Sequence, residues 1–186
     1  VSMMSTLGSS KPIRVFHSFS EIYKDFDLNS FGSAPVKFDP ELLNSISTKV
    51  LHTLPLEQVD KDLRKTGLPE DDLKQFWEMV KGNIENRTEI EEIWNLCKNG
   101  VKPIVSSEDI DFVLASLKLL PDPPYTDKSW KLWTNEVSIA SGRKGKALFM
   151  PLRLALTGKS IGPDMSKLLP FLQNIPSHKD IFGKNE

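Results

Sequence analysis

Apolar residues recur along this chain at intervals of three and four, the period that lays them on one face of a helix. Leu73, Phe76, Trp77 and Val80 follow the spacing i, i+3, i+4, i+7 and predict a helix over 69–83. Ile90, Ile93, Trp94 and Cys97 repeat it, after a Thr88–Glu91 pair with capping-box spacing. Ser106 opens a further helix with Ile110, Val113, Leu114 and Leu117 on one face. Trp130, Trp133 and Val137 belong to a predicted helix over 127–141, and Leu148, Leu152, Ala155 and Leu156 to one over 147–156. No segment alternates apolar and polar residues as a half-buried strand would. The predicted fold class is all-α, built from many short helices.

Punctuation sets the boundaries. Thirteen prolines and ten glycines fall mostly between the periodic stretches. Residues 1–8 read as the end of a helix, 11–18 as extended, and 20–26 as a short helix capped by Ser20. A loop over 31–38 precedes a helix over 39–54, with Asp39 as cap and Pro40 at the first helical position. Residues 55–65 read as helical, ending at Gly67. The run Pro121 to Pro124 is a break, and Gly142 to Lys146 a basic turn. Pro151 either starts or kinks its helix. A loop over 157–162 leads to a last clear helix at 163–174. Two parts are expected, 1–54 and 55–186, the second open to subdivision near 121–125.

Composition narrows the functional classes. No apolar run approaches the roughly 20 residues of a membrane span, so no membrane partner is expected. Cys97 is the one cysteine, which excludes an internal disulfide and a Cys-based zinc site. This usage suits a reducing, cytoplasmic setting. No signal peptide is visible, and a first residue of Val rather than Met suggests a fragment. The net charge of −1 argues against nucleic acid, but its distribution does not. Residues 55–125 hold nine Lys/Arg against fifteen Asp/Glu, whereas 126–186 hold ten against five. A basic end on a near-neutral chain can form a polyanion-binding face or be merely solvated.

Catalytic constellations are absent. His17, His52 and His178 are isolated, and no metal site is expected. Gly158-Lys159-Ser160 imitates the end of a phosphate loop, but Arg153 stands where that loop needs glycine. Cys97 shares an apolar helix face with Trp94 and reads as a buried thiol. Glu89, Glu91 and Glu92 read as the acidic first turn of a helix. The four tryptophans could stack on bases, but at helical spacing they read as core.

The string from Gly142 to Asp164, GRKGKALFMPLRLALTGKSIGPD, resembles the anticodon-binding end of bacterial-type class I glutamyl-tRNA synthetases. In that family a Gly-Lys-x-basic turn leads to a Pro-Leu-Arg-x-Ala-Leu-Thr-Gly helix end and then a Gly-Pro. Upstream, Phe19-Ser20-Glu21-Ile22, Phe26-Asp27-Leu28 and the stretch Ala34 to Asp39 resemble the family's stem-contact region. The chain departs from the family at Ser45 and Ser47, where Trp and Asn are usual. The His-Ile-Gly-His and Lys-Met-Ser-Lys-Ser signatures are missing, so this segment holds no catalytic residues and no cofactor.

The resemblance implies a helical anticodon-binding cage at 55–186 behind a small helical stem-contact segment at 1–54. It implies a parent that uses ATP and Mg to ligate glutamate to tRNA-Glu, this segment being inactive by itself. Its partners would be tRNA and the catalytic half of the same polypeptide, in a monomer. Arg153 maps onto the arginine that helps read the first anticodon base. Gly162 and Met165 map onto neighbouring loop contacts, the glycine offering only main chain. Lys144, Lys146 and Lys159 are candidate phosphate contacts by charge and loop setting. Asn83 maps to a position where relatives specific for tRNA-Glu carry an arginine, which implies relaxed specificity that includes tRNA-Gln. Asn83 also reads as a plain helix C-terminal residue. The competing class is a helical protein-interaction module, favoured by the acidic middle of the chain.

Overall fold

The computed structural model describes residues 4–12, 14–16, 18–33, 35 and 40–182, without the side chains of residues 42 and 182. His17 and the expected cap Asp39 lie outside the described residues, as do Ala34 and 36–38 of the stem-contact resemblance. Among the described residues the regular structure is helical, apart from one isolated antiparallel bridge between Ser9 and Phe31.

Ten α-helices follow one another among these residues: α1 Phe19–Asp25, α2 Pro40–Thr53, α3 Asp60–Lys65, α4 Leu73–Val80, α5 Thr88–Asn99, α6 Ile110–Leu117, α7 Ser129–Ser141, α8 Lys146–Thr157, α9 Met165–Leu168 and α10 His178–Phe182. Single 3-10 turns join several of them, as at Lys81–Asn83 after α4 and Ser107–Asp109 before α6. Gly142, with φ 71°, ends α7 in the left-handed conformation that costs glycine little.

The periodic positions form the core. Leu73, Phe76, Trp77 and Val80 of α4 are all buried. They join Ile90, Trp94 and Cys97 of α5, Trp130 and Trp133 of α7, Leu152 and Leu156 of α8, and Leu168, Leu169, Phe171 and Leu172 in one cluster. That cluster draws on both sides of the 121–125 break and includes Leu51 of α2. A smaller cluster joins Val113 of α6, Ala155 of α8 and Ile181 of α10. Two buried indoles on these helices find partners, whereas the Trp94 Nε1 has none. The Trp133 indole donates to the Ser116 carbonyl at 2.7 Å, and Trp77 donates to Leu54 at 3.0 Å. His52 Nε2 lies 2.8 Å from the Ile84 carbonyl oxygen, tying α2 to the turn after α4.

Several boundaries differ from expectation, each for a local reason. Helix α1 is capped by Ser18 rather than Ser20; the Ser18 hydroxyl accepts the Glu21 amide at 3.2 Å. The Thr88–Glu91 box does not form. The box lies two residues earlier, where the Asn86 side chain accepts from the Thr88 amide at 3.0 Å. Glu89 reaches back to the Asn86 amide at 3.1 Å. The helix expected at 163–174 is cut short: α9 gives way to a 3-10 turn at Leu169–Phe171, where Pro170 has no amide to continue the α ladder, and the backbone becomes extended at Leu172. Beyond it α10 opens where the Asp180 carboxylate accepts from both the Ser177 amide at 2.7 Å and the Ser177 hydroxyl at 2.6 Å. Pro151 lies inside α8, which continues past it.

Candidate functional site

Helix α8 presents Arg153 on the side facing the loop that follows it. Two features fix that loop. Gly158 ends the helix in the left-handed conformation, its amide donating to Leu154 at 2.9 Å. The buried Thr157 hydroxyl lies 2.7 Å from the Arg153 carbonyl and 3.1 Å from the Lys159 amide, which donates to it. The chain then turns back through Ile161, Gly162 and Pro163, and the Arg153 Nη1 donates to the Pro163 carbonyl at 2.9 Å. Asp164 closes the loop by accepting the Ser166 amide at 2.7 Å.

This geometry buries much of a guanidinium. Burial pushes the Arg153 pKa down from its ordinary value, and the Asp164 carboxylate acts against that shift. The Nε of Arg153 is shielded from water and has no hydrogen-bond partner. A buried donor without a partner is costly, so the arrangement places a partly desolvated cation beside an open space.

That space is a cavity of about 180 Å³. Arg153, Thr157, Lys159, Ile161, Gly162 and Pro163 line one side, and Asn83, Glu89, Ile93 and Leu96 the other. Four of the residues singled out in the sequence, Arg153, Gly162, Lys159 and Asn83, therefore meet in one place. Asn83 ends the 3-10 turn after α4, and its Nδ2 donates to the Met79 carbonyl at 3.3 Å. It thus has a helix-terminal role as well as a place on the cavity wall. The arginine of the same loop, Arg87, is turned elsewhere; its Nη1 donates to Asp62 at 2.8 Å and to the Gln58 carbonyl at 3.0 Å.

The remaining candidates lie apart. Met165 is 5% exposed and packs in the main core, which leaves its side chain no free surface. Lys144 is exposed on the turn between α7 and α8, and Lys146 is exposed at the first position of α8. Lys146 borders a different groove, of about 710 Å³, with Ile104, Arg143 and Met150. Among the described residues, neither these lysines nor Lys159 pairs with a carboxylate. Arg143 is engaged internally, paired with Asp109 and stacked 4.0 Å from the centroid of Phe112.

Glu89 and Ile161 are among the cavity residues that the sequence did not assign to the site. Glu89 was one carboxylate among three on an acidic helix start, and only the Asn86-x-x-Glu89 spacing distinguished it. Ile161 is 84% exposed at the cavity rim, an apolar surface that periodicity cannot find in a loop. All four tryptophans are buried, so none offers a face for base stacking. Cys97 is fully buried, and burial pushes its thiol up to about 12. Among the described residues no cluster of His, Cys, Asp and Glu could hold a metal, and no helix is long and apolar enough to cross a membrane.

Comparisons with known proteins converge on this region. A family model described as an anticodon binding domain matches residues 56–174. A glutamate–tRNA ligase 2 from Ruegeria sp. strain TM1040 is 43% identical over 175 residues, covering 94% of this chain and 40% of the relative. A glutamate–tRNA ligase 1 from Roseobacter denitrificans is 43% identical over 179 residues, covering 96% of this chain and 41% of the relative. A crystal structure of a glutamate-tRNA synthetase from Elizabethkingia anophelis shares the fold, with a TM-score of 0.67 at 19% identity over 98% of this chain and 38% of that one. The chain thus spans about 40% of the length of the curated relatives it matches. The family match also disfavours the interaction-module reading.

Proposed function

The chain belongs to the anticodon-binding-domain family, and on that premise we propose that it is the tRNA-reading part of a glutamate–tRNA ligase. The carrying observation is the cavity that joins Arg153, Gly162, Lys159 and Asn83 inside the family-matched residues. Residues 55–186 are the anticodon-binding part, and 1–54 belong to the region that contacts the tRNA stem. The parent enzyme consumes ATP with Mg in a catalytic part outside this segment and works as a cytoplasmic monomer.

The chemistry of the cavity supports single-strand reading. An anticodon loop offers unstacked bases with free Watson–Crick edges. Arg153 supplies a partly desolvated donor group to such an edge. Ile161 offers an apolar surface beside it, and the exposed Lys159, Lys144 and Lys146 supply charge for backbone phosphates. Met165 contributes by holding the loop from the core rather than by touching RNA. Asn83, small and neutral, does not select one base by charge, and Arg87 is held by Asp62. This supports relaxed specificity that takes in tRNA-Gln with tRNA-Glu.

Fluorescence anisotropy with labelled anticodon stem-loops at two salt concentrations tests the proposal. Cognate loops are expected to bind in a salt-sensitive way, and Arg153→Ala to lose the preference for them over an unrelated loop. Equal binding of all loops by both proteins would overturn it. Relaxed specificity is tested by charging tRNA-Glu and tRNA-Gln with the complete enzyme; a product from tRNA-Glu alone would refute that part.

A further inference from the structure

A side chain lies closer to the place of a β-carbon at Gly162 than at Gly100 or Gly158. A β-carbon built on Gly162 would lie 2.7 Å from Nη2 of Arg153, inside the van der Waals contact distance. The backbone there has φ 150°, in the range that favours glycine. The guanidinium that occupies this space is also tied on its other arm, where Nη1 donates to the carbonyl of the next residue, Pro163.

From this juxtaposition we infer that Gly162 is a positioning residue for Arg153: the absent β-carbon lets the guanidinium dock against the 161–163 loop, and that docking fixes where its free donors point into the cavity. The consequence for base reading rests on the function proposed above. The contribution of Gly162 is passed on through Arg153.

The direction of movement follows from which partner can yield. The loop backbone is held by the Thr157 hydroxyl on one side and the Asp164 cap on the other. The guanidinium is the far end of a flexible side chain. A methyl at position 162 thus displaces the guanidinium, breaks its bond to Pro163, and exposes the shielded Nε. A bidentate arginine contact discriminates between bases by roughly 1–3 kcal/mol, or about 5- to 150-fold, and is lost on a displacement of an ångström or more.

A double-mutant cycle on the whole chain decides the matter, using the unaltered protein, Gly162→Ala, Arg153→Ala and the double variant. Two readouts are taken: the Arg153 Nε–H signal by NMR, and the affinity ratio for two anticodon stem-loops that differ at one anticodon base. The unaltered chain is expected to show a slowly exchanging Nε–H that shifts or disappears in Gly162→Ala. The same substitution should reduce the base preference about tenfold, and cause no further reduction when Arg153 is already alanine. Thermal denaturation separates backbone strain from displacement. Strain destabilises Gly162→Ala equally in both backgrounds, whereas the clash disappears once Arg153 is gone. An unmoved Nε–H signal with equal destabilisation in both backgrounds would overturn the inference. If the signal moves and the stabilities couple, but no stem-loop binds the unaltered chain, the positioning role stands and the anticodon-reading function fails.

Discussion

Arg143 donates to the carbonyl of Ala147 at 3.4 Å, and that carbonyl is the acceptor Pro151 leaves open four residues further along α8. A proline inside a helix removes the amide that would have served this oxygen. The same guanidinium stacks on Phe112 and pairs with Asp109, so one residue from the turn before α8 joins α6 to α8 and covers the helix's missing bond.

Arg143→Ala is therefore expected to cost about 1–2 kcal/mol, once partial exposure of the ion pair is discounted. The cost should be smaller in a Pro151→Ala background, where a backbone amide again serves Ala147. Urea denaturation of the four proteins measures the coupling, and an identical cost in both backgrounds would refute the bond.

Asp109 gives this joint a pH dependence. The hydrogen bond from Arg143, and then that from Ser106, hold its carboxyl below the usual carboxylate range. A lowered folded-state pKa stabilises the protein above the unfolded value of about 4, and the benefit is lost as pH falls through the folded value. Asp109→Asn should be less stable than the natural protein at pH 7, with a smaller gap at pH 3. Denaturant midpoints at the two pH values provide the test.

Asn86 and Glu89 cap α5 as a unit. Alanine at either should cost about 0.5–2 kcal/mol, and the double variant clearly less than the sum. Circular dichroism melts of the three variants check this. Full additivity would show that the two side chains act independently.

The buried indoles carry an optical prediction. Trp77, Trp94, Trp130 and Trp133 are all shielded from solvent, so saturating RNA should leave the tryptophan emission maximum in place. A large quench with a shifted maximum would mean that the core opens on binding. Trp133→Phe should cost about 0.5–1.5 kcal/mol, because it removes the indole hydrogen bond while the Ser116 carbonyl keeps the Leu119 amide as donor.

Cys97 should be inert toward thiol reagents in the folded protein, since burial both hides the sulfur and pushes its pKa up to about 12. Its labelling rate should rise only with denaturant and follow the opening of the core. Labelling at the rate of a small free thiol without denaturant would contradict this burial.

Helix identity was legible wherever burial and periodicity coincide, as in α4, where all four spaced positions are inside. The path of the chain between helices was not. Ser20, Thr88 and Glu91 have the chemistry of caps, but the residues that cap are Ser18, Asn86 and Glu89, because the choice depends on backbone angles that neighbours set. For the site, the ordered string from Gly142 to Asp164 marked Arg153, Lys159 and Gly162, and the structure brings these together with Asn83. It could not reveal that Met165 points inward, since an apolar side chain after a loop suits a surface or a core equally. Nor could it show that Glu89, 64 positions before Arg153, lines the same cavity. That proximity comes from the placement of α5 and α8 around one core and one cavity, which no local pattern records.

Helix α5 gains partners for its final carbonyls from far along the chain. The Gln173 amide donates to Cys97 at 2.8 Å, and the Asn174 side chain donates to Lys98 at 2.5 Å. A polypeptide made from its amino end exposes the end of this helix long before those donors exist. While the intervening segment is being synthesised, the last turn of α5 must rely on water to satisfy these oxygens. The helix becomes complete only after residue 174 has left the ribosome, so a truncation before Gln173 removes more than a tail: it withholds the closing step of an element laid down some 75 residues earlier.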